Sequence, residues 1–204
     1  RDLVERAGNH EPVDYLVGQC PFFSMMLKVN RDVRIPRPST ETLVEHVLQH
    51  QRVSPGFASP LIADIGTGSG AIAIALAKNL PDARIVAVDI SEAALKLAKE
   101  NAVDHGVADR IDFVHGDLLK PLSGQRFSYL CSNPPYISDD EWQKVAPNVK
   151  DYEPESALRG GPDGLQLIRP LIAHAHQYLA SPGQLVLEIA ASQDKAVKAL
   201  VNEA

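Results

Sequence analysis

The 204-residue chain has two cysteines, Cys20 and Cys131, one tryptophan and an aromatic content of 5%. Two cysteines cannot build a disulfide framework, and the expected setting is a reducing, cytoplasmic one. No apolar run is long enough to cross a bilayer and no signal peptide is visible, so a membrane is not an expected partner. An excess of positive charge is also missing: the formal net charge is -6. The surface as a whole therefore does not invite nucleic acid. One local exception is the set Arg31, Arg34 and Arg37, which reads equally as a solvated hairpin edge or as a substrate-facing patch. Metal-ligand spacing is absent as well. His174 and His176 lie two apart on a predicted helix, do not share a face, and have no cysteine or acid cluster beside them. No internal repeat or low-complexity stretch is present.

What is there is ordinary in bulk and specific in detail. A hydrophobic content of 45% in a chain of this length supports one α/β domain with a sizeable core. Residues 22–29 and 33–35 read as a hairpin around Asn30-Arg31-Asp32. Ser39 or Thr40 is a candidate cap for a helix through Leu43, Val44, Val47 and Leu48. Residues 54–60 read as a loop. From Leu61 the pattern alternates. Strands are expected at 61–65, 84–88, 111–115 and 127–132, with helices at 71–80 and 91–104 between the first three. A helix at 165–179, a turn at Pro182-Gly183, a strand at 184–189 and a helix from 192 complete the series. Strands separated by helices predict a mostly parallel sheet covered on both faces.

Two segments carry chemistry. Asp64-Ile65-Gly66-Thr67-Gly68-Ser69-Gly70 lies between a strand and a helix, where glycines allow a tight turn and close approach of a ligand. Asp89 ends the second strand and suits two ribose hydroxyls; Asp117 ends the third and suits an adenine amino group, with Leu118 covering the ring. The run Gly66-x-Gly68-x-x-Ala71 also satisfies the dinucleotide fingerprint, which keeps a nicotinamide-dependent oxidoreductase open at this point. The second segment is Asn133-Pro134-Pro135-Tyr136, which stops an apolar strand. The Asn133 side-chain oxygen and the Pro134 carbonyl can each accept an N–H of a planar group, and Tyr136 can pack on it. Hydride transfer has no use for such a corner. Transfer of a methyl group from S-adenosylmethionine to a planar nitrogen does, with S-adenosylhomocysteine as product, because alignment is most of what that reaction needs.

These segments, with Pro12-x-x-Tyr15-Leu16-x-Gly18, Ile35-Pro36-Arg37-Pro38, Ala87-Val88-Asp89-Ile90-Ser91, Glu153-Pro154, Gly160-Gly161-x-Asp163-Gly164 and Leu187-Glu188-Ile189, give the chain a close resemblance to the HemK/PrmC family. The resemblance implies a Rossmann-like class I methyltransferase that methylates the side-chain amide nitrogen of the glutamine in the Gly-Gly-Gln motif of peptide chain release factors. It implies catalytic and substrate-binding roles for Asn133, Pro134, Pro135 and Tyr136, with Arg37 and Pro38 on the substrate side. The implied cofactor set is Gly66, Thr67, Gly68, Ser69, Gly70, Asp89, Ile90, Asp117, Leu118 and Asn133, with no metal. A release factor is the implied partner, with a monomer and no direct nucleic-acid contact expected. Residues 1–11 read as the end of an N-terminal helical region or linker, 12–38 as a β-hairpin linker and 39–204 as the catalytic domain. The chain begins with Arg1, and the helical bundle and last two strands of the family's seven-stranded sheet are expected to lie outside it. Three positions depart from the family pattern: Ser39 replaces a usual Glu, Ala190 a usual Gly, and Leu118 takes an often aromatic place. The rival reading is a DNA or RNA methyltransferase acting on a flipped adenine or guanine; a noncatalytic partner-binding subunit is another.

Overall fold

The computed structural model describes residues 2–53 and 56–204. Arg1 and the first two residues of the expected 54–60 loop, Ser54 and Pro55, lie outside the described residues.

In chain order the elements are α1 (Asp2–Gly8), α2 (Val13–Val17), β1 (Gln19–Phe22), β2 (Met25–Lys28), α3 (Pro38–Val53), β3 (Leu61–Ile65), α4 (Ala71–Asn79) and β4 (Arg84–Asp89). Then follow α5 (Glu92–Asp104), β5 (Ile111–His115), β6 (Phe127–Ser132), α6 (Asp139–Trp142), α7 (Pro147–Lys150), α8 (Ile168–Tyr178), β7 (Leu179–Leu187) and α9 (Asp194–Glu203). The five strands β3–β7 form one parallel sheet in the order β5-β4-β3-β6-β7. From β3 the chain builds outward through β4 and β5, then returns to add β6 on the other side. The crevice between β3 and β6 is therefore the switch point, where ligands bind at the carboxyl ends of the strands.

The central strands β3, β4 and β6 are largely apolar because both of their faces are covered. Ile62, Ile85 and Tyr129 face a cluster with Leu43, Val44 and Val47 of α3 and most of α4. Ala63, Val86 and Leu130 face the opposite cluster with Leu171 and Ala175 of α8. Helix α4 is wholly buried from Ala71 to Ala77, which explains its small and aliphatic composition. Each buried Leu, Ile or Val contributes about 1.5–3 kcal/mol relative to exposure. Helix α5 is capped by Ser91, whose side chain accepts from Ala94 N, worth about 1 kcal/mol. Among the described residues no helix is long and apolar enough to cross a membrane.

Three sequence expectations are corrected. The hairpin pairs β1 with β2, Phe22 opposite Met25, and turns at Phe23-Ser24 rather than at Asn30-Arg31-Asp32. Phe23 and Ser24 both adopt positive φ (47° and 59°) without a glycine, and Glu41 of α3 accepts the Phe23 N–H at 2.7 Å. The alternation at 33–35 serves burial instead: Val33 and Ile35 pack with Tyr15, Cys20, Val29 and Ala94. Second, Pro182-Gly183 does not precede the last strand but lies inside it. Strand β7 advances from Leu179 to Gln184 while β6 advances from Phe127 to Tyr129. The surplus residues bulge, which places the proline outside the ladder it cannot donate to. Third, α3 begins with Pro38 at its first helical position. Ser39 and Thr40 are therefore inside the first turn, and their hydroxyls point elsewhere.

Candidate active site

The carboxyl ends of β3, β4 and β6 open into one cavity of about 500 Å³, a volume typical of small-molecule sites. The glycine loop forms one wall. Gly66 N and Thr67 N donate to Val88 O at 2.8 and 3.0 Å, which ties the loop to β4. Gly66 and Gly68 have φ of +72° and +57°, and a Cβ at either would meet nothing within 4 Å. Their bare backbone therefore faces open space, as a loop that cradles a ligand requires. Gly70 is different. It does not line the cavity, and a Cβ there would meet Ile74 Cδ1 at 3.0 Å and Ala98 Cβ at 3.2 Å. Its role is close packing of α4 on α5.

The Asp89 carboxylate is oriented by two backbone donors, Gly68 N to Oδ2 at 2.8 Å and Ser91 N to Oδ1 at 2.9 Å. It lines the cavity with Ile90, Asp117 and Leu118. Asp117 Oδ2 accepts from Lys120 Nζ at 2.6 Å, and Leu118 holds a positive φ of 50°. Thr67 and Ser69 also line the cavity and are buried.

Asp64 lies beneath the loop and is fully buried. Its Oδ2 accepts from Thr67 Oγ1 at 2.6 Å and Ala73 N at 3.1 Å, while Oδ1 has no partner. Burial raises its pKa from 3.8 to about 7, against the pull of those two hydrogen bonds. The folded protein thus holds a proton that the unfolded chain releases near pH 4. Stability from this group is complete below pH 4 and is lost as pH rises through 7. Glu11, held at about 2 by hydrogen bonds from Arg6 and Arg31, acts in the opposite window: its stabilisation is lost as pH falls from about 4.5 toward 2. Asp64→Asn should therefore flatten the decline in melting temperature between pH 4 and pH 8 without altering the acid limb. An unchanged decline in that variant would contradict the assignment.

The opposite wall is the Asn-Pro-Pro-Tyr corner. Strand β6 ends where Ser132 Oγ donates to Ile65 O at 2.7 Å. Asn133, Pro134 and Pro135 line the cavity; Tyr136 does not. A polar relay sets the direction of the Asn133 amide. Glu188 Oε2 accepts the Thr40 hydroxyl at 2.6 Å, and Thr40 Oγ1 accepts Asn133 Nδ2 at 2.8 Å. A carboxylate only accepts, so the Thr40 hydrogen points at Glu188 and its oxygen must accept in turn. Asn133 therefore donates one N–H of its amide to Thr40, and its Oδ1 is left as the acceptor, which Arg34 Nη1 reaches at 3.5 Å. Glu188 also accepts from Tyr136 Oη and Ser39 Oγ, each at 3.3 Å. Replacing Thr40 with valine removes both links of the relay. We expect kcat to fall about tenfold with cofactor affinity unchanged, and Thr40→Ser to restore it. Loss of cofactor affinity without loss of kcat would contradict the relay.

The Gly-Gly-x-Asp-Gly segment clamps this corner from behind. A Cβ on Gly160 would sit 2.6 Å from Pro135 O, and one on Gly164 would collide with Tyr136 O. Ile137 N donates to Leu158 O at 3.0 Å and Gly160 N to Ile137 O at 2.8 Å. Gln193 Nε2 donates to Tyr136 O at 2.9 Å.

The three arginines do not form a solvated hairpin edge. They line the cavity from the irregular segment between β2 and α3. Arg31 pairs with Glu11 at 2.9 Å and covers the Tyr152 ring. Arg37 pairs with Glu153, whose side chain is 1% exposed, and donates to Ile35 O at 2.8 Å. Arg37 thus braces the segment. Pro38 does not line the cavity. Thr40 and Glu188 were not assigned to the site from sequence, and Arg34 was read only as one of three arginines of an edge or a substrate-facing patch. Thr40 lies beside the Ile-Pro-Arg-Pro segment, and that proximity was the available signal.

Residues 37–149 match the family model described as methyltransferase small domain. The chain is 42% identical over 198 residues to the release factor glutamine methyltransferase of Thermodesulfovibrio yellowstonii, covering 97% of this chain and 70% of that protein. It is 46% identical over 197 residues to the protein of the same name from Moorella thermoacetica, covering 97% and 68%. The chain thus spans about two thirds of the length of these curated relatives. Among solved structures it resembles a ribosomal protein L11 methylase from Lactobacillus delbrueckii subsp. bulgaricus (TM-score 0.61, 21% identity, 87% of this chain and 74% of that one). It also resembles a methyltransferase from Pyrococcus furiosus (TM-score 0.63, 16% identity, 87% and 76%). At those identities the structural likeness speaks for the Rossmann-like methyltransferase fold alone. The sequence matches go further: this chain belongs to the release factor glutamine methyltransferase family.

Proposed function

We propose that the chain transfers a methyl group from S-adenosylmethionine to the side-chain amide nitrogen of a glutamine in a peptide chain release factor, the one in its Gly-Gly-Gln motif. The observation that carries this reading is the forced direction of the Asn133 amide, which leaves Oδ1 for an N–H donor beside the glycine-loop cavity. The residues present fit the cofactor. Bare backbone at Gly66 and Gly68 borders open space, Asp89 offers an oriented carboxylate for the ribose, and Leu118 and Ile90 provide apolar cover for the adenine beside Asp117.

When bound, that cofactor supplies a methyl carbon already activated on a sulfonium. What remains for the protein is alignment and electrostatics. Asn133 Oδ1 and the Pro134 carbonyl accept the two N–H groups of the target amide and fix its rotation. Both acceptors also favour the positive charge that develops on nitrogen, and the Glu188 carboxylate behind Thr40 and Tyr136 adds to this. A strong base is not required, because the methylated, cationic nitrogen loses its proton readily to water. Residues 39–204 are proposed as the catalytic domain, 12–38 as the hairpin linker and 1–11 as the end of a helical region.

Incubation with radiolabelled S-adenosylmethionine and either release factor or RNA tests the reading. Label is expected in the release factor. Labelled RNA with silent protein would overturn it in favour of a flipped-base methyltransferase.

A further inference from the structure

Arg34 sits where the proposed target has to sit. Its guanidinium lies 5.0 Å from the centre of the Tyr136 ring. Its Nη2 donates to Tyr136 Oη at 2.7 Å, and its Nη1 reaches Asn133 Oδ1 at 3.5 Å. A guanidinium and a carboxamide share what this corner selects: both are flat, both carry in-plane N–H donors, and both stack on an aromatic face. The protein therefore offers Asn133 an imitation of the group it is built to hold.

The imitation is incomplete. The contact to Oδ1 is at the long limit for a hydrogen bond, and Arg34 Nε is buried with no partner. A contact that leaves a buried donor unpaired is one a better-fitting group can displace. Charge points the same way. The sulfonium and the nitrogen being methylated both carry positive charge, and a cation fixed beside them opposes the transfer. Glu188, which shares Tyr136 Oη with Arg34, favours it once the guanidinium has left. The segment's backbone is held: Val33 and Ile35 are buried, and Ile35 N donates to Glu153 Oε2 at 3.1 Å. Arg31 and Arg37 are each fixed by a carboxylate; among the described residues Arg34 has no such ion pair. Of the three, Arg34 alone is held by neutral groups, the Tyr136 hydroxyl and ring and the Asn133 amide, rather than by a carboxylate.

Taking the proposed glutamine target as given, we infer that Arg34 is a specificity-determining residue: its guanidinium fills the target-amide seat of the free protein and yields only to a glutamine whose parent protein supplies binding contacts elsewhere. Isolated amides, which bring no such contacts, are excluded.

The test uses Arg34→Ala and Arg34→Met, the second keeping an aliphatic stem over the ring. KM and kcat are measured for a short Gly-Gly-Gln peptide and for intact release factor, with and without guanidinium chloride at low, non-denaturing concentration. In both variants KM for the peptide is expected to fall about tenfold, with a smaller change for the intact factor. Guanidinium should inhibit both variants competitively against the peptide and inhibit the unmodified protein far less, since its seat is already filled. A peptide KM that rises or stays constant in both variants, with equal guanidinium sensitivity throughout, would overturn the inference. If no form of the protein methylates the release factor, the functional reading fails instead. Calorimetric titration of guanidinium into the unmodified and Arg34→Ala proteins then still reads whether the seat is self-filled: tighter binding to the variant supports it, and equal binding refutes it.

Discussion

Replacing Asn133 with alanine is expected to lower kcat by about 10²–10³-fold while S-adenosylmethionine still binds. The side chain has two jobs on two sides. Its Nδ2 is committed to Thr40 at 2.8 Å, and its Oδ1 is the proposed acceptor for the target nitrogen. Alanine removes the acceptor and leaves the Pro134 carbonyl as the single remaining grip on the amide. The glycine loop is tied to β4 and the Asp89 carboxylate to Gly68 N and Ser91 N, so the proposed cofactor wall does not depend on Asn133. Calorimetry with the cofactor and single-turnover kinetics with release factor separate the two effects. A variant that loses cofactor affinity but keeps its turnover would contradict the division of labour.

Asp89→Ala should produce the reverse. Each charge-assisted hydrogen bond to a ribose hydroxyl is worth about 1.5–3 kcal/mol, so losing even one is expected to lower cofactor affinity by about 10- to 160-fold. The loss is compounded because Gly68 N and Ser91 N, which donate to the two carboxylate oxygens at 2.8 and 2.9 Å, are released and the loop loosens. At saturating cofactor, kcat should recover most of its value, because the Asn133 relay runs through Thr40 and Glu188 on the far wall. Loss of kcat at saturation with unchanged affinity would place Asp89 in the chemistry and contradict the account.

The centre of the sheet was legible in the sequence because β3, β4 and β6 are buried on both faces. Runs such as Ile62-Ala63-Asp64-Ile65 and Phe127-Ser128-Tyr129-Leu130 carry their assignment in composition alone. The hairpin was not, because its turn at Phe23-Ser24 uses two positive-φ residues that no turn rule favours, stabilised from outside by Glu41. Likewise Pro182-Gly183 carries the chemistry of a turn, and only pairing with β6 shows that it is a bulge. The glycine-loop wall of the cavity was legible because it is local: the loop, Asp89 and Asp117 each lie at the carboxyl end of a strand and line the cavity. The Asn-Pro-Pro-Tyr corner was legible only at its centre. Asn133 and Tyr136 announce themselves, but the residues that orient them arrive from Arg34, Thr40 and Glu188. Contacts across such separations leave no periodicity and no spacing to read.

In the proposed reaction this corner presents a carboxamide nitrogen to an activated methyl. Tandem mass spectrometry of a release factor after incubation with the protein and S-adenosylmethionine tests it most directly. The account predicts one added methyl group, on the side-chain nitrogen of the glutamine in the Gly-Gly-Gln motif, and no addition with the Asn133→Ala protein. A methyl group found on any other residue, or one added equally well by Asn133→Ala, would contradict it.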